Sequence, residues 1–459
     1  VIRLKRVNVE TSCGCGTYLS DDDSSSGVKR ESIFTFRHSL LTCQTSCLFI
    51  RICTTPSRFD VVGFASGMMP RRTGDAAIYT FGLEEEFFLA HARTRAVVTR
   101  VPKSVVNESR ALLGTDRVSH EMLQSQIEIV SPVFQDVREA FQEMARLRNG
   151  VHAIAAQHGL IVLASGTAPL SAWRLQQATD KPRYAQLLDD YQMIGQRNLL
   201  CGLHVHVAPP SGVDRVQLMN RLMPWLPLFL ALSTSSPFWN RQQTGLLSYR
   251  QAAYDEWPRT GIPDFFDDEA AYSSFVDLLV KSGSMSDAGS LWWALRPSHH
   301  LPTLELRIAD SCTYLEDAIA LASLFRCLVR AHVRRADLGR GHSAMSRRVI
   351  DENRWRAKRY GIDAEFIDEA TARNVPVRQL IVDAQALLAE DAAALGCEAQ
   401  LAHFGIIFSR GTSARQQIQI YAKARAAGGG HRQALMHVVD WISHASIPRC
   451  DAADSVTTA

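Results

Sequence analysis

Three consecutive glutamates stand inside an apolar run, Gly82-Leu83-Glu84-Glu85-Glu86-Phe87-Phe88. Side chains alternate along a strand, so Glu84 and Glu86 would share one face, roughly 6–7 Å apart, and Glu85 would take the other. Two like charges aimed together from a hydrophobic element are costly unless a cation lies between them. The run is therefore either an edge strand with its glutamates in water or part of a metal–phosphate site.

Three further segments repeat the pattern. Gln126/Glu128, His204/His206 and Glu305/Arg307 each place charged or metal-competent groups at i, i+2 spacing in a strand-like run. A single pair is weak evidence. Four in one chain predict a sheet with one polar face that holds a ligand, because a buried sheet face is ordinarily aliphatic. Mg²⁺ takes oxygen ligands and shares them between carboxylates and substrate phosphates, which makes Glu84, Glu86, Glu128 and Glu305 the candidate metal ligands. Arg307, always charged and forked, suits a phosphate or carboxylate oxygen. Arg197, just before the histidine pair, and Arg296, in Trp292-Trp293-Ala294-Leu295-Arg296-Pro297, lie next to the polar strands and are candidates of the same kind. Trp292 and Trp293 themselves read as core.

The sequence has no P-loop and no dinucleotide-type Gly-x-Gly-x-x-Gly, so a bound triphosphate would be held by sheet-borne carboxylates and their cations. His204-x-His206 admits a rival reading, a zinc-dependent hydrolase. In such enzymes the pair lies near the start of a barrel with more His and Asp ligands downstream, and no helix–strand barrel repeat follows here.

The remaining chain bounds the answer more loosely. Its 459 residues, 46% hydrophobic, allow a large core in one or two domains. A net charge of only +3 gives no basic field for nucleic acid or a membrane surface. The most apolar stretch, 222–232, is too short to span a bilayer and contains Pro224 and Pro227. With no secretory signal pattern, a cytoplasmic location is the default expectation. Cys13, Cys15, Cys43 and Cys47 could form a zinc site, although their spacings match no common module. Cys201, Cys312, Cys327, Cys397 and Cys450 read as small buried hydrophobes.

Residues 1–72 lack helical or strand periodicity and read as an atypical extension, disordered or a start-site artefact with initiation at Met68 or Met69. A domain over 73–450 and a tail over 451–459 follow. Within the domain, strands are predicted at 78–89, 124–130, 160–164, 203–207 and 303–308. Asp136 should cap a helix ending at Gly159. Prolines should bend a helix over 213–232, a long helix should run from Leu315 to about Arg335, and 363–443 should be mostly helical. The fold class is α+β.

Gly82 to Phe88, Gln124-Ser125-Gln126-Ile127-Glu128, Cys201-Gly202-Leu203-His204-Val205-His206-Val207 and Thr303-Leu304-Glu305-Leu306-Arg307-Ile308-Ala309-Asp310 together resemble the glutamate–cysteine ligase type 2 family, most closely its YbdK-type carboxylate–amine ligases. Glu352 to Gly361 fits the same pattern, and motif order is kept from about Ile78 to the mid-440s. The resemblance implies a glutamine-synthetase-like catalytic fold, a curved antiparallel sheet forming a funnel with helices outside. It also implies ATP- and Mg²⁺-dependent joining of a glutamate-like carboxylate to a cysteine-like amine through an acyl phosphate, with weak activity on glutamate and cysteine. Mg²⁺ would sit on Glu84, Glu86, Glu128 and Glu305. Arg307 would stabilise the transferred phosphoryl group, and Arg296 the phosphates or the substrate carboxylate. His204, His206, Arg197 and Arg307 would bind the nucleotide. The partners would be small molecules, with no nucleic acid or membrane, and a homodimer is the expected assembly. Many relatives have His-Pro after the position of Thr167 and Asp at position 294, where this chain has Ala168-Pro169 and Ala294. These departures bear on the acceptor pocket and leave a catalytically silent nucleotide-binding relative as a further alternative.

Overall fold

The computed structural model describes residues 78–448. The extension, the tail and the proposed zinc cysteines Cys13, Cys15, Cys43 and Cys47 lie outside the described residues, as does Cys450.

The main sheet has seven strands: β1 (Phe81–His91), β2 (Val118–His120), β3 (Gln126–Val130), β4 (Leu160–Leu163), β5 (Leu203–Val207), β6 (Leu295–Pro297) and β7 (Leu304–Leu306). Its order is β6-β7-β5-β1-β3-β2, with β4 on the distal half of β1, and every pairing is antiparallel. The register decides which side chains meet. Glu84 stands opposite His204, Glu86 opposite Glu128, and Glu305 opposite both His206 and Arg296. Directly opposed residues of an antiparallel pair share a face, so the polar pairs of four strands converge on one side of the sheet.

Leu83, Phe87, Ile127, Ile129, Leu203 and Val205 are buried in the core on the other side. Helix α2 (Val137–Gln157) packs there, after α1 (Lys103–Leu113). Asp136 caps α2 by accepting from the backbone N–H groups of Arg138 and Glu139 at 2.7 and 3.1 Å. Gly159 leaves the helix at φ +67°, which a residue with a Cβ adopts only at a cost. After α3 (Pro182–Gln196), the predicted bent helix resolves into α4 (Arg215–Leu222) and α5 (Leu226–Ser233), joined by a 3₁₀ turn around Pro224. Each proline removes an N–H and takes a first-turn position, where none is needed.

The short α6 (Tyr249–Tyr254) and α7 (Glu269–Lys281) precede α8 (Leu315–Arg334), which is buried around nearly its whole circumference. The sheet, α2, α4 and α5 all pack on α8. Helix α9 (Ala344–Tyr360) lies along α5.

The expectation for 363–443 needs correction at its start. Glu365–Asp368 and Arg373–Pro376 form an antiparallel hairpin, where Phe366 is buried and Pro376 cannot donate within a helix. The strand expected over 303–308 pairs in the sheet only at 304–306. Trp293 is core as expected, packed on Phe266 and Phe275. Trp292 is not; it is half-buried and lines a cavity. No helix among the described residues is long and apolar enough to cross a membrane.

Candidate active site

The polar face of the sheet opens into a cavity of about 260 Å³. Glu84 and Glu86 of β1, Glu128 of β3, His204 of β5 and Arg307 line it from the i, i+2 pairs, with Arg296 of β6 beside them, whereas Gln126, His206 and Glu305 of the same pairs are not among its lining residues. Glu121, just past β2, and Arg250 of α6 line it as well. Neither was legible in the sequence. Ser119-His120-Glu121 is polar at every position and shows no alternation, and Arg250 comes from a helix outside the strand motifs.

The carboxylates fall into two environments. Glu84 meets both imidazoles, with Oε2 3.2 Å from His204 Nδ1 and Oε1 3.4 Å from His206 Nε2. Burial pushes the Glu84 carboxyl up, but the two imidazoles facing it, His204 first and then His206, outweigh it and hold Glu84 ionised. Burial, reinforced by Arg307, lowers His204 to about 4 and keeps it neutral at physiological pH. With Nδ1–H donated to Glu84, Nε2 of His204 carries a lone pair, and that atom is buried without a hydrogen-bond partner. His206 is turned the other way: its Nδ1 is 2.9 Å from Thr303 Oγ1, and its buried Nε2 is the atom that faces Glu84.

The other group is purely carboxylate. Glu86 accepts from the Gly202 N–H at 2.6 Å and Glu128 from Ser119 Oγ at 2.7 Å. Burial and then the charge of Glu121 push Glu86 up to about 8. Burial and the neighbouring carboxylates Glu121, Glu84 and Glu86 raise Glu128 well above its ordinary range. Glu121 is raised too, first by burial.

These donor sets fit a divalent cation. Oxygen or nitrogen atoms of Glu86, Glu121 and Glu128 lie within 4.8 Å of one another, as do those of Glu84, Glu128 and His204, and those of Glu84, His206 and Glu305. The all-carboxylate set, Glu86, Glu121 and Glu128, offers the oxygen donors that a hard cation such as Mg²⁺ takes, whereas the imidazoles of the other two sets are donors for borderline metals. The carboxylate majority is a poor match for a zinc hydrolase centred on the two histidines.

Glu305 differs from the other three predicted ligands because it is already neutralised. Arg296 grips it with Nε at 2.8 Å and Nη2 at 3.2 Å, and Arg307 Nη1 pairs with it too. Burial opposes its charge, but Arg307 and then Arg296 hold it well below the usual carboxylate range. Arg197 is not among the cavity-lining residues; it pairs with Glu256 at 2.9 Å and lies over Trp173.

Arg250 is fixed from behind. Buried Asp310 accepts from Ser236 Oγ at 2.7 Å and Ser248 Oγ at 2.8 Å, and Ser236 Oγ in turn accepts from the Arg250 backbone N–H at 3.0 Å. A Cβ on Gly202 would meet the Arg250 guanidinium and displace it from its place at the cavity. Ala168 and Ala294 are buried and outside the cavity lining; Ala294 reaches the site only by accepting from the Arg307 N–H at 2.8 Å.

An antiparallel sheet with helices behind it and an acidic, arginine-flanked face defines the class as an α+β fold with a charged site on the open face of its sheet. Among solved structures, a bifunctional glutathione synthetase from Pasteurella multocida matches 80% of this chain with TM-score 0.59 and 14% identity. The match spans about half of that longer chain, 52%. A glutamate–cysteine ligase from Francisella tularensis in complex with AMP matches with TM-score 0.56 and 11% identity, over 80% of this chain and 89% of its own.

The sequence relationship is closer. The model of glutamate–cysteine ligase family 2 matches residues 80–437, and the chain belongs to that family. A protein of Bradyrhizobium diazoefficiens described as "putative glutamate--cysteine ligase 2" is 43% identical over 350 residues, 76% of this chain and 81% of the relative. One of Ectopseudomonas mendocina with the same description is 44% identical over 366 residues, covering 79% and 95%.

Proposed function

We propose that the protein is an ATP- and Mg²⁺-dependent ligase that joins a glutamate-like carboxylate to an amine through an acyl phosphate, releasing ADP and phosphate. The observation that carries this reading is the convergence of Glu84, Glu86, Glu121 and Glu128 with Arg250, Arg296 and Arg307 around one cavity. A carboxylate is a poor electrophile at neutral pH, and phosphorylation supplies a leaving group. Mg²⁺, when bound, would neutralise the triphosphate and the charge that develops during transfer.

Glu84, Glu86, Glu121 and Glu128 would hold it, with Nε2 of His204 and His206 beside them. Arg296 spends its N–H groups on Glu305 and on the carbonyls of Gly289 and Leu291, so in this reading it fixes Glu305 and adds positive charge, while Arg307 turns its remaining N–H groups to phosphoryl or carboxylate oxygens. Arg250 adds a third guanidinium from α6. Closure of the cavity around the acyl group must exclude water, which would otherwise hydrolyse it.

Residues 73–450 are the catalytic domain in this reading. A cytoplasmic homodimer is part of it through the family resemblance alone, and sedimentation of the purified protein tests the assembly.

The test is phosphate release from ATP over a panel of carboxylates and amines, with and without Mg²⁺. Release that needs Mg²⁺ and both organic substrates is the expected result. Amide or ester cleavage without ATP would overturn the proposal in favour of a hydrolase, and nucleotide binding with no turnover on any pair would leave a silent relative.

A further inference from the structure

The cavity has a second wall that phosphoryl transfer does not use. Tyr184 of α3, Tyr254 of α6, Trp257 and Trp292 line it with Met122 and Leu187. The aromatic part is built before any ligand arrives. Tyr191 braces Trp257 and Trp292 with ring centroids 5.0 and 6.0 Å away, and the two tryptophans meet edge to face at 5.3 Å. Tyr254 lies under the Arg250 guanidinium at 5.5 Å. Tyr184, Tyr254 and Trp292 are only partly buried, and Lys181, Arg250 and Arg259 each lie over one of these rings, leaving the other ring surface for a ligand.

This wall is mismatched to a small amino acid. A cysteine-sized amine would leave most of the ring surface uncovered. A flat apolar body instead buries its full area against such rings and gains from edge-to-face contact.

We infer that the amine substrate of the ligase is a primary amine with an aromatic or similarly broad apolar body, seated on Tyr184, Tyr254, Trp257 and Trp292. The inference rests on the ligase reading and names its acceptor class. In the coupling step the nitrogen, deprotonated from its ammonium form, forms the C–N bond as the acyl C–O bond to phosphate breaks. Phosphate leaves with the electron pair, and the second nitrogen proton passes to solvent.

The full chain with ATP, Mg²⁺ and a carboxylate panel including glutamate is assayed with phenethylamine, tyramine, methylamine and cysteine. Binding of phenethylamine is read separately by quenching of tryptophan fluorescence. We expect kcat/KM for phenethylamine or tyramine to exceed that for cysteine and methylamine by about 10-fold or more. Trp292→Leu, and independently Tyr184→Ala on the partly exposed α3, should each weaken phenethylamine binding about 10-fold.

Preference for cysteine over every apolar amine would overturn the inference, as would phenethylamine binding that neither variant alters. Cysteine-dependent phosphate release without apolar-amine binding would keep the ligase reading and remove this one. Wall-dependent phenethylamine binding with no phosphate release from any pair would support the aromatic seat and remove the ligase reading.

Discussion

Glu85 and Arg148 form a bidentate pair at 2.6 and 2.9 Å, closed off from solvent, on the opposite face of β1 from Glu84 and Glu86. Arg148 also donates to the carbonyls of Cys312 and Thr313, tying β1 and α2 to the segment that enters α8. The middle glutamate of the run is thus structural, and its neighbours face the cavity.

Glu85→Ala should therefore destabilise the fold, by about 3–5 kcal/mol, because it leaves the Arg148 guanidinium buried and uncompensated. Urea denaturation checks this. Glu85→Ala combined with Arg148→Met should recover much of the loss, since the charge that needed a partner is gone.

The cavity glutamates should respond in the opposite way. Glu128→Gln removes one of three crowded carboxylates, so the metal-free protein should unfold no more easily than the parent. Turnover should fall about 100-fold or more, as expected for loss of a cation-holding group. Millimolar Mg²⁺ should raise the parent's Tm and leave that of Glu128→Gln nearly unchanged, which a thermal shift titration measures. An equal Mg²⁺ response in both would remove Glu128 from the metal site.

Glu86 gives the pH dependence. Its folded-state value is pushed up to about 8 from an ordinary value near 4.5, first by burial and then by Glu121. Between those limits the folded protein retains a proton that the unfolded chain has released. Stability of the metal-free protein should therefore fall as pH rises from about 4.5 to about 8. A bound cation replaces that proton, so saturating Mg²⁺ should flatten the slope. Urea midpoints measured across this range in EDTA and in Mg²⁺ check both signs; a metal-free midpoint that rises with pH would contradict the assignment.

The parts of the site legible in the sequence were those written in a period of two. Alternation placed Glu84, Glu86, Glu128, His204 and Glu305 on one sheet face and separated Glu85 from them, because a strand's geometry fixes side-chain direction locally. Pairing order was not legible, since it depends on contacts between residues far apart in sequence, such as Glu84 with His204. Glu121 is hidden in a run with no alternation, and Arg250 is brought in by a helix whose position is set by Asp310 and its serines. Arg197 illustrates the converse: proximity in sequence to the histidine pair did not place it on the cavity, because it follows α3 outward to Glu256.

That contrast gives a direct comparison of two arginines. Arg250 is buried, faces the cavity, and its Nε has no hydrogen-bond partner, whereas Arg197 spends its charge on a partly exposed ion pair. Arg250→Ala should lower kcat/KM by about 100-fold or more through loss of a fixed cation at the reacting oxygens. Arg197→Ala should change it by less than about 5-fold, in keeping with the small worth of a surface pair. To separate charge from packing, Arg250→Lys should restore part of the activity without the full effect, because an ammonium replaces the charge but not the fork. Steady-state kinetics of the three variants decide the matter. A larger loss in Arg197→Ala than in Arg250→Ala would move the phosphate-binding role back to the residue that adjoins the histidine strand.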